Sequence, residues 1–183
     1  YELVNVFIGT GGHGHTFPGA TLPFGMVQLS PDTRLEGWDG CSGYHYTDSI
    51  IYGFSHTHLS GTGIADYCDL LIMPSQDDIC FDNGFKDSIE NGYSSTFKKA
   101  NEKACPGYYE VLLDKNNIHC KFISTQRVGI HEYTFKNKKA AHVIIDLEHR
   151  DRLLDWKLDV TSNKEITGSR ISSSWAENQH FYF

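Results

Sequence analysis

The sequence predicts an all-β protein built as an antiparallel β-sandwich, and two observations favour this fold class. Short runs rich in Val, Ile, Phe, Tyr and Thr recur between Gly, Asn, Asp or Pro, whereas few segments have helical periodicity. In one run Ile118, Cys120 and Phe122 alternate with His119 and Lys121, which is typical of a strand with one buried and one hydrated face. Because such strands bury only one face, we expect two sheets that pack against each other.

The elements can be placed in chain order from these boundaries. Residues 69–73 form a continuous apolar run that Pro74 is expected to end, and residues 88–104 are polar enough for an extended loop or one short helix. Four consecutive strands are then predicted: residues 108–114, 118–124, 127–135 and 141–147. The polar segments 115–117 and 136–139 are interpreted as hairpin connections.

Length, composition and charge restrict the class of protein. A chain of 183 residues with 39% hydrophobic residues suits one domain, so residues 1–183 are predicted to form a single sandwich domain. Sixteen basic and 23 acidic side chains give a formal charge of -7, which disfavours nucleic acid or an anionic membrane as a partner. No apolar stretch approaches the roughly 20 residues that a membrane-spanning helix needs.

The ends of the sequence bear on whether it is a piece of a longer protein. The first four residues contain no basic segment followed by an apolar one, so any export signal has been removed or never existed. Residues 180–183 are apolar and have the composition of a strand interior, which is unusual for a natural terminus. We therefore interpret the chain as a fragment whose sandwich is truncated at its carboxy-terminal end.

The cysteines argue against two common cysteine sites. None of the five forms a Cys-x-x-Cys pair, as a zinc ribbon or a thioredoxin-type site would require. Their odd number leaves at least one thiol unpaired. Disulfides and reduced buried thiols both fit the spacing, and we favour mostly free thiols.

A glycine-rich loop at residues 9–25 is the first candidate site. It contains six glycines and two prolines, and the prolines exclude the helix that a dinucleotide-binding glycine motif requires. Its backbone N–H groups, with Thr10, His13, His15 and Thr16, are interpreted as the lining of a pocket for a hydroxylated ligand. The alternative is a surface loop whose histidines bond to local carbonyl groups.

A second candidate segment, residues 37–46, places Trp38, Asp39 and two tyrosines among three glycines. A pyranose presents an apolar C–H face to an aromatic ring and hydroxyl groups to carboxylates and backbone groups, so this mixture indicates a carbohydrate site. The alternative for Trp38 is an anchor in the core or at a domain interface. That core or interface role is the one we expect for Trp156 and Trp175.

A third candidate segment, residues 53–63, contains His56 and His58. In a strand these two residues would share a face, so they could bind one metal ion as in a cupin. A zinc or iron site also needs a third ligand, and no Glu or His follows at cupin spacing. Hydrogen bonding to a neutral ligand and packing as structural histidines are the alternatives. Asp66 and Asp69 could be site carboxylates or turn caps.

No catalytic group can be recognised from its neighbours in the sequence. No Asp or Glu has surroundings that mark it as an acid of raised pKa, and no Gly-x-Ser-x-Gly elbow or Cys–His pair indicates a nucleophile. The catalytic machinery in this chain therefore looks incomplete.

Several motifs resemble the amino-terminal domain of glycoside hydrolase family 92, a family of calcium-dependent exo-acting α-mannosidases. Residues 5–26, which include Gly-Gly-His-Gly-His-Thr-Phe-Pro-Gly, and residues 53–61 carry the resemblance. Shorter matches extend it over essentially the whole chain: residues 106–109, 127–131, 145–147 and 174–176.

The resemblance implies that the sandwich packs against a carboxy-terminal (α/α)6 barrel, with the active site between the two domains. It implies inverting hydrolysis of terminal α-mannosides, mainly α-1,2-linked, by carboxylates of the barrel, so no catalytic residue and no activity are expected of this chain alone. Calcium would be bound mainly outside this chain. The expected partners are mannose-containing glycans and the barrel, and the expected location is a bacterial periplasm or cell surface.

The resemblance also implies which residues contribute to the mannose subsite: Gly11, Gly12, His13, Trp38, Asp39, His56 and His58. Because calcium prefers about six to eight oxygen ligands, the histidines are expected to contact sugar hydroxyls or the domain interface, and no metal ligand is assigned to this chain. A stand-alone carbohydrate-binding module is the alternative function, followed by a cupin-type metal-binding protein.

Overall fold

The computed structural model describes residues 3–183. Tyr1 and Glu2 lie outside the described residues; they belong to the first four residues, in which no export signal is recognised. The described part contains the short 3₁₀ helices Lys99–Asn101 and Lys115–Asn117, and within it no helix is long and apolar enough to cross a membrane. Its strands, numbered in chain order, are β1 (Ala20–Thr21), β2 (Gln28–Asp32), β3 (Ile50–Ile51), β4 (Gly53–Ser55), β5 (Leu71–Ser75), β6 (Ser95–Thr96), β7 (Lys103–Cys105), β8 (Tyr108–Leu113), β9 (Ile118–Ser124), β10 (Gly129–Phe135), β11 (His142–Asp146), β12 (Arg152–Ser162), β13 (Glu165–Ser173) and β14 (Gln179–Tyr182).

Two antiparallel sheets pack face to face and form the core. The first sheet has the strand order β1-β2-β4-β5-β11, and the second has the order β10-β9-β8-β7. Between them the rings of Phe54 on β4 and Phe122 on β9 meet with their centroids 4.3 Å apart. Buried side chains of both sheets surround this contact: Ala20, Leu29, Leu71, Met73, Tyr109, Val111, Leu113, Ile118, Cys120 and Ile144. The predicted antiparallel β-sandwich is therefore confirmed.

The strands of the second sheet follow the sequence pattern closely. The predicted strand 118–124 coincides with β9, and the predicted strands 108–114 and 127–135 correspond to β8 and β10, which are one and two residues shorter. Burial alternates along β9 as predicted. Between β8 and β9, Asn116 and Asn117 have φ angles of 61° and 51°, in the left-handed region that Asn tolerates in turns.

Two predictions about connections are wrong. Segment 136–139 is a crossover between the sheets, because β11 does not pair with β10 but with β5, where Val143 lies opposite Pro74. The apolar run also continues through Pro74 as part of β5. Because β4 pairs with β5 only at Ile72, the missing N–H of Pro74 lies beyond the β4 ladder and costs no hydrogen bond there.

A third sheet, with the order β12-β13-β14, lies beside the sandwich. Its last strand confirms that the final residues are strand-like. Trp156 on β12 and Trp175 after β13 are 57% and 76% exposed, so neither belongs to the core, and an interface role for them stays a prediction. Residues 88–104 are mainly extended and include β6 and the first 3₁₀ helix. All five thiols are free.

Candidate functional site

The first two candidate segments meet at one surface with the end of the third. His13 Nδ1 lies 2.6 Å from Asp39 Oδ1. The ring of His15 stands edge-on to that of Trp38, with centroids 5.1 Å apart, and the backbone N–H of Gly61 donates to the His15 carbonyl at 2.7 Å. We call this surface the loop surface and define it by five residues: His13, His15, Trp38, Asp39 and Gly63.

Trp38 supplies an apolar platform on the loop surface. Its ring lies on the backbone of Gly63, where a Cβ atom would be only 1.9 Å from the nearest ring carbon. The ring can take this position because glycine has no side chain. Trp38 is nevertheless 62% exposed, which excludes the core-anchor alternative within this chain and leaves ring surface free for a ligand or another domain.

Asp39 supplies a charged hydrogen-bond acceptor beside this platform. The hydrogen bond from His13 is the main reason that the pKa of Asp39 lies below its ordinary value. An ionised carboxylate can accept a hydrogen bond from a sugar hydroxyl, but a general acid needs the opposite shift, towards a raised pKa. The geometry therefore suits Asp39 for binding rather than for protonating a leaving group.

Two of the residues expected to line a pocket in the first loop form hydrogen bonds within that loop. The hydroxyl groups of Thr10 and Thr16 donate to the carbonyl groups of Phe7 and Ile8, at 2.8 and 3.0 Å. These two threonines therefore stabilise the loop.

The two predicted glycine positions of the loop differ in their surroundings. Gly12 is exposed beside His13, with a φ of 58°, and its carbonyl accepts a hydrogen bond from His45 Nε2 at 3.1 Å. Gly11 faces a neighbouring cavity of about 380 Å³, which Tyr46 and Lys99 also line. Only Gly12 therefore extends the loop surface.

His56 and His58 do not join the loop surface and do not face a common metal ion. His56 donates from Nδ1 to the carbonyl of Leu70 at 2.7 Å, and its Nε2 lies 2.9 Å from His131 Nε2. His58 is buried, and its Nε2 lies 2.8 Å from Asp32 Oδ1. The cupin-type pair is thus wrong, because the two rings are directed at different partners. We also revise the expected sugar contacts, since protein groups engage both nitrogens of each ring.

Burial shapes the ionisation of both histidine groups. Burial and the neighbouring His56 ring lower the pKa of His131 to about 3. Burial alone would lower the pKa of His58, but Cys68 and Asp32 outweigh this effect and raise it to about 10. The first group is therefore neutral at pH 7, whereas the second forms a buried ion pair with Asp32.

Asp66 and Asp69 have structural partners. Asp66 accepts hydrogen bonds from the backbone N–H groups of Trp175 and Ala176, at 3.1 and 2.9 Å. Asp69 pairs with the buried guanidinium of Arg170. Of their two predicted roles, the structure supports the capping role for Asp66.

The loop surface does not match the ligand preference of calcium. Asp39 supplies its one carboxylate, and its other polar side chains are histidines, whereas calcium prefers about six to eight oxygen ligands. Within the described part of the chain, one group of three metal-capable side chains occurs elsewhere, formed by Asp32, His58 and Cys68.

Sequence reasoning missed several residues of these sites. Gly63 belongs to the third candidate segment, but the sequence did not show that the Trp38 ring packs on its backbone. The repeated glycines of that segment were the signal that could have indicated such a close contact. Asp32 and Cys68 have no local signal, because their contacts join positions far apart in the chain.

Comparison with known proteins supports the resemblance. The chain matches the Glycosyl hydrolase family 92 N-terminal domain over residues 3–183. The chain belongs to glycoside hydrolase family 92. This family 92 domain is 31% identical over 155 residues to an uncharacterized secreted glycosidase of Arthroderma benhamiae, a match that covers 80% of the chain and 19% of the relative.

Solved structures of the same family have the same fold. The family 92 α-mannosidase BT3965 of Bacteroides thetaiotaomicron, in complex with mannoimidazole, is 36% identical with a TM-score of 0.94, over 99% of this chain and 24% of that one. The family 92 inverting mannosidase BT2199 of Bacteroides thetaiotaomicron VPI-5482 is 28% identical with a TM-score of 0.74, over 93% of this chain and 22% of that one. This family 92 domain thus spans about a quarter or less of each of these relatives.

Proposed function

We propose that this chain is the amino-terminal domain of an exo-acting α-mannosidase that hydrolyses terminal α-mannosides, chiefly α-1,2-linked ones, with inversion. Family membership supports a glycoside hydrolase, and the names of two relatives, an α-mannosidase in complex with mannoimidazole and an inverting mannosidase, support the substrate class and the stereochemistry. The secreted glycosidase among the relatives supports an exported enzyme, and we propose a periplasmic or cell-surface location.

The loop surface carries the proposal for this chain's own contribution. Trp38 would stack on the apolar face of mannose, while the Asp39 carboxylate accepts a hydrogen bond from a sugar hydroxyl. His13, whose side chain is 85% exposed, and the exposed backbone of Gly12 would complete the polar side of the subsite. We place His56 and His58 among the supporting residues.

The two catalytic carboxylates are proposed to lie outside this chain, in an (α/α)6 barrel. An inverting glycosidase needs a general acid and a general base about 6.5–9.5 Å apart on either side of the glycosidic bond. The loop surface offers one carboxylate, Asp39, and its lowered pKa is unsuited to the acid role. Calcium is likewise proposed to be held mainly by residues outside this chain, because the loop surface lacks enough oxygen ligands.

The test compares this 183-residue chain with a longer product of the same reading frame. We expect the longer protein to hydrolyse an aryl α-mannoside and α-1,2-mannobiose, to release β-mannose first, and to lose activity on calcium chelation. The isolated chain should give no turnover. Turnover by the isolated chain, after exclusion of a contaminating mannosidase, would contradict the proposed division of labour.

A stand-alone carbohydrate-binding module makes a different prediction for the isolated chain. Trp38 is exposed and Asp39 is partly exposed, without an opposing wall among the described residues, so we expect weak or no binding of mannose or mannobiose by calorimetry. Clear binding that Trp38→Ala abolishes would favour the module over the enzyme domain.

A further inference from the structure

The buried side chains of Asp32, His58 and Cys68 form a compact group of potential metal ligands. The nearest ligand atoms of the carboxylate, the imidazole and the thiol all lie within 4.8 Å of one another. All three residues are at most 3% exposed. The group shares no residue with the loop surface that we propose as part of the mannose subsite.

The imidazole of His58 is oriented as a metal ligand would be. Its Nδ1 lies 2.7 Å from the carbonyl oxygen of Gln28, so Nδ1–H donates there. Its Nε2 is directed at Asp32, and the proton that joins them in the ion pair would be released when a metal ion binds. Metal-binding histidines usually donate their second ring N–H to a carbonyl or carboxylate in this way, which fixes the ring and its tautomer. The ring of Phe17, with its centroid 4.9 Å away, packs against the imidazole.

The carboxylate of Asp32 is also held in place. Its Oδ1 faces His58, and its Oδ2 accepts a hydrogen bond from His149 Nε2 at 2.8 Å. Gly43 makes room for it, because a Cβ atom there would lie 2.2 Å from Oδ1. One oxygen is thus positioned by a second histidine while the other faces the cluster.

The thiol of Cys68 completes the group from a bent segment. Tyr67, Cys68 and Leu70 have φ angles of 79°, 58° and 53°, which are uncommon for residues other than glycine. This backbone places the sulfur atom beside His58 and Asp32, and the N–H of Cys68 donates to the carbonyl of Thr57 at 2.9 Å.

The chemistry of the three ligand atoms selects the metal. Nitrogen, oxygen and sulfur together suit zinc, whereas calcium and magnesium prefer oxygen alone. A carboxylate and a thiolate together carry two negative charges, which would balance the charge of a divalent ion. This balance is needed because an unpaired charge in the protein interior is costly. The hydroxyl of Ser55, whose Oγ lies 3.1 Å from His58 Nε2, or a water molecule would supply a fourth ligand.

We propose that Asp32, His58 and Cys68 bind one zinc ion in the buried interior of this domain. The ion would join β2, the segment after β4 and the bent segment before β5, and its role is structural because the group is buried. The proposal is independent of the mannosidase function and of the calcium proposed to lie outside this chain.

Metal analysis of the purified chain tests the proposal. We expect close to one zinc per chain by mass spectrometry after growth with zinc and purification without a metal-affinity step. Cys68→Ser should lower the zinc content by about tenfold or more, since it removes a ligand. Cys41→Ser is the matched control, because Cys41 is also buried and its Sγ lies 2.8 Å from the carbonyl of Thr62, a contact that serine keeps.

Cobalt gives a second readout that detects the sulfur ligand. Refolding with Co²⁺ should produce the near-ultraviolet charge-transfer band of a cobalt–thiolate bond in the original chain and in Cys41→Ser. If Cys68→Ser does not fold, a chain with Cys41→Ser, Cys80→Ser and Cys105→Ser must still show the band. The proposal is overturned if the original chain binds neither ion, if Cys68→Ser binds as much zinc as the control, or if the triple variant loses the band.

Discussion

Trp38 keeps its place on the loop surface because Gly63 has no side chain beneath the ring. The sequence indicated both residues as parts of possible ligand-binding segments, but it could not pair them, since they are distant in the chain. The contact between Trp38 and His15 likewise joins two separate loops. For these residues, the sequence predicted which side chains belong to a candidate site but not which of them contact each other.

We expect Gly63→Ala to reduce kcat/KM for an α-mannoside in the longer protein. The added Cβ would displace the Trp38 ring, and a misplacement of about 1 Å at a positioning group can cost roughly a hundredfold. Gly61→Ala is the control, because the added Cβ atom would lie within 4 Å of no other group. Since Gly61 has a φ of 76°, this variant measures the effect of backbone strain alone. Equal losses in the two variants, measured by steady-state kinetics, would refute a specific role for the Trp38 seat.

Arg170 on β13 connects the third sheet to the rest of the molecule. Its side chain is 1% exposed, yet its guanidinium finds a partner for each of its nitrogens. The acceptors come from three parts of the chain: Leu147, His149 and Asp151 through their carbonyl groups, Asp69 through its carboxylate, and Ser172 through its hydroxyl. Removing one partner from a buried ion pair of this kind is strongly destabilising, because it leaves the other charge uncompensated.

Arg170→Met should lower the free energy of unfolding by about 3–5 kcal/mol, because it leaves the buried Asp69 carboxylate without its cation. Urea unfolding of the isolated chain measures the loss. Arg170→Met combined with Asp69→Asn should recover part of it, since the uncompensated charge is gone. If Arg170→Met alone lowers the free energy of unfolding by less than about 1 kcal/mol, which is typical of an exposed ion pair, then Arg170 does not stabilise the attachment of the third sheet.

The contact between the two main sheets includes a chain of neutral hydrogen bonds. Tyr133 donates to His131 Nδ1 at 2.6 Å, His131 Nε2–H points to His56 Nε2, and His56 donates to Leu70. These directions follow from the Leu70 carbonyl, which can only accept. The imidazole of His131 also stands edge-on to Phe122 in the core, with centroids 5.0 Å apart.

The stability of the whole domain should therefore fall in mild acid. The pKa of His131 drops from its ordinary 6.5 to about 3 on folding, so the unfolded state binds more protons and stability is lost as the pH falls below 6.5. We expect His131→Gln to be less stable at pH 7.5 but to have a shallower decline between pH 7 and 4, measured by urea unfolding. His180→Gln, at an exposed histidine, should keep the original slope. An unchanged slope in His131→Gln would contradict this assignment.

Much of the second sheet could be predicted from the sequence, whereas only β5 and β11 of the first sheet were located and their pairing was not predicted. Strand β9 follows a strict alternation of buried side chains with partly buried or exposed ones, so its bounds were predicted to the residue. Strand β11 was also located, but its partner was wrong, because a short apolar strand fits either sheet and only packing selects β5. The end of β5 was predicted too early because proline usually breaks the hydrogen bonds of a strand. Pro74 breaks none to β4, since β4 pairs with β5 only at Ile72.

The sequence by itself determined the fold class, the positions of strands β8 to β11 and the family. Side-chain alternation, turn residues and motifs are local properties, so they can be recognised without knowledge of the fold. Only the tertiary structure decided which histidines reach the surface: His13 is exposed beside Asp39, while His58 is buried against Asp32. The physical reason is that burial and the pairing of charges depend on contacts between distant segments, which the order of residues does not specify.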